Sequence, residues 1–397
     1  MKKIIHLLPA LIYLISIPQA KADNQPSGII SGKVINKETR RPVSGVNVFL
    51  AYTMAGCASN GIGIYTIKNV PPGNYWLAAS HVGYESASLE LKMDNNEILT
   101  YNFELKPKIY QTAPIVVSAA DQAEWQKTLK QFRRDFLGRS DNADLTCIKN
   151  EFALEFDRKD RDKYFAYANA PLTIINRALG YKIEYSLFYF ESTFSYVKFT
   201  GFPLYFPLKS SDPDTLSLWE SNRRKTYAGS LRHYLRSICE NYELTKGLQE
   251  EPEFTVDYSD CTDEGYRIDY PEDNFLAQKG FKVLYKSARF PEAGVNPIIS
   301  LVNTNKYLKP ADSENEMYLK FNNYLEVRYN EPGGGFFQCK PFEQKSWIKL
   351  QKDSIIVDKG GRYYETFGIK TYGFWSLHRI SDALPYEYNF DEQLSDN

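Results

Sequence analysis

Residues 54–84 read MAGCASNGIGIYTIKNVPPGNYWLAASHVGY. The glycines in this stretch either cradle a ligand or let short strands reverse, and the choice decides the fold. A nucleotide-binding glycine loop joins a strand to a helix whose free N–H groups face phosphate. Here Gly61, Gly63 and Gly73 stand between strand-like segments, no lysine or hydroxyl follows in phosphate-loop order, and the next periodicity is two residues. Pro72 fixes a turn backbone, and Gly73 accepts a dihedral that bulky residues avoid. The stretch is read as strand, turn and strand.

Working outward, alternating segments occur at Ile30–Ile35, Val46–Ala51, Gly63–Ile67, Tyr75–Ala79, Ala87–Leu91 and Tyr101–Leu105. Turn-prone tracts separate them: Thr39-Arg40-Arg41-Pro42, Asn60-Gly61, Pro71-Pro72-Gly73 and Asp94-Asn95-Asn96. Short strands with frequent Gly and Pro punctuation predict a compact antiparallel sandwich.

Residues 28–107 resemble the carboxypeptidase regulatory-like domain, a transthyretin-like sandwich also found at the start of many bacterial outer-membrane transport proteins. The resemblance rests on Ser31-Gly32-Lys33-Val34, Pro42-Val43-Ser44-Gly45-Val46-Asn47-Val48, Gly63-Ile64-Tyr65, Val70-Pro71-Pro72-Gly73-Asn74-Tyr75 and Gly83-Tyr84. Ala58-Ser59 departs from the Thr-Asp often present in that family. The resemblance implies an accessory role and no peptidase chemistry. A zinc peptidase needs His and acidic ligands around an open position, whereas this segment has only His81, read as a turn or edge residue.

Lys2 and Lys3, the apolar run from Ile4 to Ile17 and the small residues of Ala20-Lys21-Ala22 form the three parts of a secretory signal, with cleavage expected after Ala22. No later run reaches about 20 apolar residues, so no transmembrane helix is expected after that cleavage. Lys plus Arg total 48 against 49 for Asp plus Glu, leaving no cationic field for nucleic acid. The 30 Tyr and 24 Phe, many in alternating runs, favour β structure. The five cysteines, Cys57, Cys147, Cys239, Cys261 and Cys339, are an odd set without CxxC or zinc spacing; Cys239 and Cys261 lie closest in sequence.

The expected architecture is an N-terminal all-β prealbumin-like sandwich followed by a mixed α+β, strand-rich domain. Residues 1–22 are the signal, 23–107 the sandwich, 108–120 a linker and 121–397 the body, with a division near 250–275 left open. In the body, Trp125, Leu129, Phe132 and Phe136 form a helical stripe ended by Gly138. Ala170–Leu179 reads as a short helix with Pro171 in its first turn and Gly180 at its end. A strand follows over Tyr181–Tyr189, with Phe188 and Phe190 on its opposite face, and further strands at Tyr196–Thr200 and Leu204–Leu208. Thr226–Tyr242 reads as one helix. Beyond it, strands are expected at Phe281–Tyr285, Tyr318–Phe321, Leu325–Tyr329, Trp347–Leu350, Ser354–Val357 and Tyr363–Ile369, with a hairpin turn at Asp358-Lys359-Gly360-Gly361. An outer-membrane barrel fits less well, because many segments are under about nine residues and charge is heavy between them.

Arg232, His233 and Arg236 on the 226–242 helix are the candidate anion-binding group, since guanidinium groups grip carboxylate or phosphate with paired hydrogen bonds. An ordinary basic helix face is the competing reading. The acidic stretch Glu250–Asp273 offers oxygen ligands but lacks the order and glycine turn of a calcium loop. Neither His233 nor His378 sits in a hydrolase, kinase or metallopeptidase motif. No catalytic residue, cofactor or metal ligand is therefore assigned. The expected function is an exported cell-envelope binding or scaffolding protein with an envelope protein or glycan as partner. The alternative is a hydrolase acting on an envelope glycan or peptide through a site in 121–397.

Overall fold

The computed structural model describes residues 27–108, 119–158, 160, 162–246, 275–286, 299–301, 304–330 and 344–389. The expected signal segment, most of the linker, the whole acidic stretch 250–273, Cys261 and Cys339 lie outside them, and so does the Cys239–Cys261 pairing. Among the described residues Cys57, Cys147 and Cys239 are free thiols.

Eight strands build the first unit: β1 Gly28–Asn36, β2 Asn47–Leu50, β3 Gly56–Ala58, β4 Ile64–Val70, β5 Gly73–Ser80, β6 Ala87–Met93, β7 Ile98–Thr100 and β8 Phe103–Leu105. One sheet orders β4-β1-β7 with β8 also on β1, and the other orders β3-β2-β5-β6. Their inner faces meet through Ile30, Val34, Val48, Leu50, Tyr65 and Leu77, all nearly inaccessible. The pairing departs from the antiparallel expectation at one place: β1 runs parallel to β7 and β8, which continue one another along its edge. The alternation of a strand sets which face it buries, not the direction of its neighbour. Gly63, with φ 78°, turns the chain from β3 into β4.

The body opens with α1 Ala119–Leu137 and α2 Asp141–Asp144, then β9 Thr146–Ile148, β10 Leu154–Arg158, β11 Tyr164–Ala168, β12 Leu172–Asn176, β13 Tyr181–Ser192 and β14 Val197–Pro207. The sheet order is β10-β11-β13-β12-β9, with β14 on the other edge of β13. The predicted stripe on α1 covers this sheet. Leu129, Phe132 and Phe136 are buried against Tyr185 and Phe190, and Phe132 stacks on Phe136 at 4.9 Å. Burying each such side chain contributes about 1.5–3 kcal/mol.

Three expectations are corrected here. Residues 172–176 form β12 rather than a helix, because Thr173, Ile174 and Ile175 are β-branched and pair with β13 on one side and β9 on the other. Phe188 and Phe190 do not share a face: a bulge between Leu187 and Tyr189 shifts the register, leaving Phe190 buried and Phe188 exposed. The two strands expected at 196–200 and 204–208 are the single strand β14.

Next come α3 Pro213–Tyr227, α4 Leu231–Thr245, α5 Phe275–Gln278, β15 Phe281–Lys286, β16 Ile299–Leu301, β17 Leu308–Pro310, β18 Glu316–Leu319, β19 Tyr324–Tyr329, β20 Gln344–Leu350, β21 Ile355–Asp358 and β22 Ile369–Gly373. Sheets β16-β15-β19-β20-β22 and β17-β18-β21 share a core with Tyr234, Leu235, Ile238 and Cys239 of α4. The helix expected over 226–242 is broken at Gly229, φ 71°, where an added Cβ would lie 2.4 Å from the Tyr329 ring. Tyr227 ends α3, and Ser230 caps α4 by accepting the His233 N–H at 3.1 Å. Residues 363–368 are not a strand. After the turn at Asp358–Gly361, only Val357 and Tyr363 bridge, and Phe367 takes φ 60° before β22 begins.

Candidate functional site

The outer face of the β2-β5 layer packs on the body. Phe49 and Ala78 alternate with the sandwich core residues along their strands and meet Phe202 and Leu204 of β14. Backbone hydrogen bonds reinforce the contact: Tyr52 N donates to Pro203 O at 2.8 Å, and Tyr205 N donates to Thr53 O at 3.0 Å. The C-terminal segment closes the third side, where Tyr386 N donates to Tyr52 O at 2.9 Å and the two rings stack at 5.5 Å. Around this junction lies a cavity of about 360 Å³, walled by Tyr52, Trp76, Phe202, Arg232, Phe367 and Tyr386, with Glu365 and Arg362 among its polar lining.

Asp358 and Arg362 hold one wall. Asp358 is buried and accepts from Gly360 N and Arg362 N, each at 2.9 Å, from Tyr364 Oη at 2.9 Å and from Arg362 Nε. The Arg362 guanidinium lies 5.4 Å from the Tyr75 ring centre of the sandwich and 5.1 Å from that of Tyr386. Burial disfavours its charge, and the Asp358 carboxylate together with Tyr364, Tyr75 and Tyr386 more than offsets this, holding Arg362 above the ordinary arginine pKa.

The structure places Arg232, His233 and Arg236 on the first two turns of α4, with their polar atoms engaged in three directions. Arg232 Nη1 donates to Pro385 O at 2.9 Å, and Nη2 donates to Tyr386 O at 2.7 Å and Tyr388 O at 3.1 Å. His233 is packed by the rings of Tyr227, Phe281 and Tyr329 at 4.8–5.8 Å. Its Nδ1 accepts the Gly229 N–H at 3.1 Å, which makes that nitrogen the unprotonated one. Arg236 pairs with Glu240 at 2.7 Å and donates to Asn389 Oδ1 at 2.8 Å.

Among the described residues, His378 does not sit between a nucleophile and a carboxylate. His378 Nδ1 lies 3.5 Å from Asp382, whose carboxylate also accepts from Ser140 Oγ at 2.7 Å and Asn142 Nδ2 at 2.9 Å. The carboxylate occupies the middle position, whereas activation of a serine needs the imidazole there. Burial pushes the Cys239 thiol up to about 12, with the Asp358 charge acting in the same direction, so it is a poor thiolate. Among the described residues no group of three or more His, Cys, Asp or Glu could hold a metal ion, and no helix is long and apolar enough to cross a membrane.

Sequence reasoning singled out Arg232 without its carbonyl partners at 385–388, and it missed the cavity. Its walls come from residues 51–76, 199–202, 231–235, 361–369 and 386, which nothing in local periodicity brings together.

Fold and junction together define a β-sandwich accessory module packed into an α+β body. Residues 30–117 match the CarboxypepD_reg-like domain, and the sandwich is a domain of that kind. No curated protein matches the chain. Among solved structures, the major pilin subunit of Bacillus cereus aligns at 17% identity and TM-score 0.18, over 21% of this chain and 30% of that one. The minor pilin GBS52 of Streptococcus agalactiae aligns at 16% and 0.19, over 23% and 48%. A putative carbohydrate binding protein from Bacteroides uniformis aligns at 10% and 0.18, over 46% and 80%. At such identities and TM-scores these likenesses bear on neither partner nor activity.

Proposed function

We propose that the chain is an exported cell-envelope binding or scaffolding protein in which the sandwich completes a ligand-holding cavity on the body. The carrying observation is that cavity. It is concave, rich in aromatic side chains, furnished with a few polar groups and located where two units meet, which is the usual setting of a small-molecule site. The basic start, apolar run and Ala20-Lys21-Ala22 support export. Arg232 and Arg236 serve in this reading as internal anchors for residues 385–389 and not as a receptor for a free anion.

Fractionation of cells expressing the full chain, with cross-linking before lysis, tests the reading. The expected result is a chain shortened at Ala22 that is recovered in the envelope fraction, cross-linked to a partner. Recovery of unprocessed, partner-free chain from the cytoplasm refutes it.

A further inference from the structure

We propose that β6, the outer strand of the sandwich, pairs antiparallel with β6 of a second copy of this chain about a two-fold axis at Leu91. β6 ends the sheet β3-β2-β5-β6, and its outer edge carries no further strand among the described residues. Its residues pair with β5 without a break, from Gly73↔Met93 to Ala79↔Ala87, and include neither a proline nor a bulge. A regular edge of this kind is a template for another strand. Ser88, Glu90 and Lys92 are exposed on one face, and Ala87, Leu89 and Leu91 are half-buried on the other. β6 lies outside the walls of the junction cavity, so this inference goes beyond the binding reading above and stands or fails apart from it.

The charges choose the occupant. An edge lysine ordinarily guards a strand, because a copy of it brings a like charge. Here Glu90 stands two residues before Lys92, with Leu91 between them. In an antiparallel pair centred on Leu91, Glu90 faces Lys92 of the copy, and by symmetry Lys92 faces the copy's Glu90. Opposite charges so placed attract across the strands, whereas like charges destabilise. The adjacent registers fail on this ground: a centre at Glu90 sets that carboxylate against itself, and a centre at Lys92 sets ammonium against ammonium and Glu90 against Asp94. Lys92 Nζ lies 3.8 Å from Asp94 with both side chains exposed, a contact that contributes little in water and leaves the ammonium free to turn. The favoured register also brings the two Leu91 side chains together and covers apolar surface that β6 leaves half-exposed. Other edges are unsuited. β3 has three residues. β10 carries Glu155 and Asp157, which a self-pairing centred on Phe156 would set against each other, and its Leu154 O already accepts from Trp125 Nε1 at 3.1 Å.

Sedimentation velocity of the purified full chain, from about 5 µM to about 500 µM, reads the association. A reversible monomer–dimer equilibrium is expected. Glu90→Lys alone and Lys92→Glu alone should each weaken it about tenfold, since symmetry puts two like-charge pairs where two opposite ones stood. Mixing these two variants should restore it, because each then faces the other's opposite charges. Hydrogen exchange of the parent chain gives a readout that needs no variant: the amides of 87–93 are expected to exchange more slowly at the high concentration than at the low one. A chain that stays monomeric throughout overturns the assignment. So does a dimer that ignores both variants, a mixture no tighter than its components, or exchange at 87–93 that does not change with concentration. Protection of 87–93 by an envelope extract but not by more of the purified chain points to a strand of another protein, and that overturns it too.

Discussion

Gly61 and Gly63 stand two residues apart in one turn, yet the structure predicts opposite outcomes when each becomes alanine. At Gly63 the backbone has φ 78°, and an added Cβ would lie 2.5 Å from the Val34 carbonyl oxygen and 3.1 Å from Pro42 Cβ. That carbonyl already accepts the Val43 N–H at 3.0 Å, and Gly63 O accepts the Val34 N–H at 2.8 Å, so neither side moves without loosening the ladder. The left-handed backbone costs a side chain about 1–2 kcal/mol. Overpacking adds about 1–3 kcal/mol, so Gly63→Ala should cost about 2–5 kcal/mol. At Gly61 nothing lies within 4 Å of the added atom, and Gly61→Ala should stay within about 0.5 kcal/mol of the parent. Hydrogen exchange followed by mass spectrometry reads the opening free energy of β1 and β4 directly in the full chain. Faster exchange of both strands in the Gly63 variant alone is the expected result. Equal exchange in the two variants refutes the reasoning. A loop built to hold a ligand would instead make both glycines matter for binding and neither for the ladder.

The Asp358–Arg362 pair is coupled. In a double-mutant cycle with Asp358→Leu and Arg362→Met, unfolding free energies should yield an interaction of about 1.5–3 kcal/mol, and less than about 0.5 kcal/mol would show the pair to be incidental. Arg232→Ala removes the donors to Pro385, Tyr386 and Tyr388. It should destabilise by on the order of 3 kcal/mol and speed limited proteolysis near residue 385. Polyanion binding should be the same for this variant and the parent at low and at high salt; a salt-dependent loss would restore the anion-site reading. Glu191 accepts from Lys163 at 2.6 Å, from Tyr189 and from Tyr196 at 3.1 Å, and these partners hold its carboxyl below the ordinary glutamate range. The folded carboxylate binds a proton less tightly than the unfolded one, so its stabilisation is present above the ordinary range and lost as pH falls through the lowered value. Acid titration of stability should flatten there in Glu191→Gln, and an unchanged profile would remove Glu191 from the acid response.

The sandwich was legible because its strands are punctuated. Pro72-Gly73 and Asn60-Gly61 mark the reversals, and Tyr75, Leu77 and Ala79 alternate as a strand should. Its parallel edge was not legible, since β7 and β8 find β1 across about 69 positions of chain, as the Asn102 side chain does in accepting Lys33 N. At 170–179, Pro171 and Gly180 read as helix boundaries. The buried Leu172, Ile174 and Asn176 nevertheless follow a period of two, a signal that β-branching at 173–175 reinforces. The break at Gly229 went unread because Tyr227, Leu231, Tyr234 and Ile238 keep helical spacing across it. The candidate cavity was hidden for a more general reason. Tyr52, Trp76, Phe202, Glu365 and Tyr386 are ordinary aromatic and polar residues in their own segments, and only packing makes them neighbours.

The strap at 385–388 also sets an order of assembly. Met54 N donates to Glu387 across 333 positions, and the Tyr52 carbonyl waits for the Tyr386 N–H. A ribosome delivers the sandwich long before the strap, and units fold as they emerge. The nascent chain therefore carries a finished sandwich beside an unsealed aromatic seam, and a residue made 333 positions after Met54 is among those that shut it.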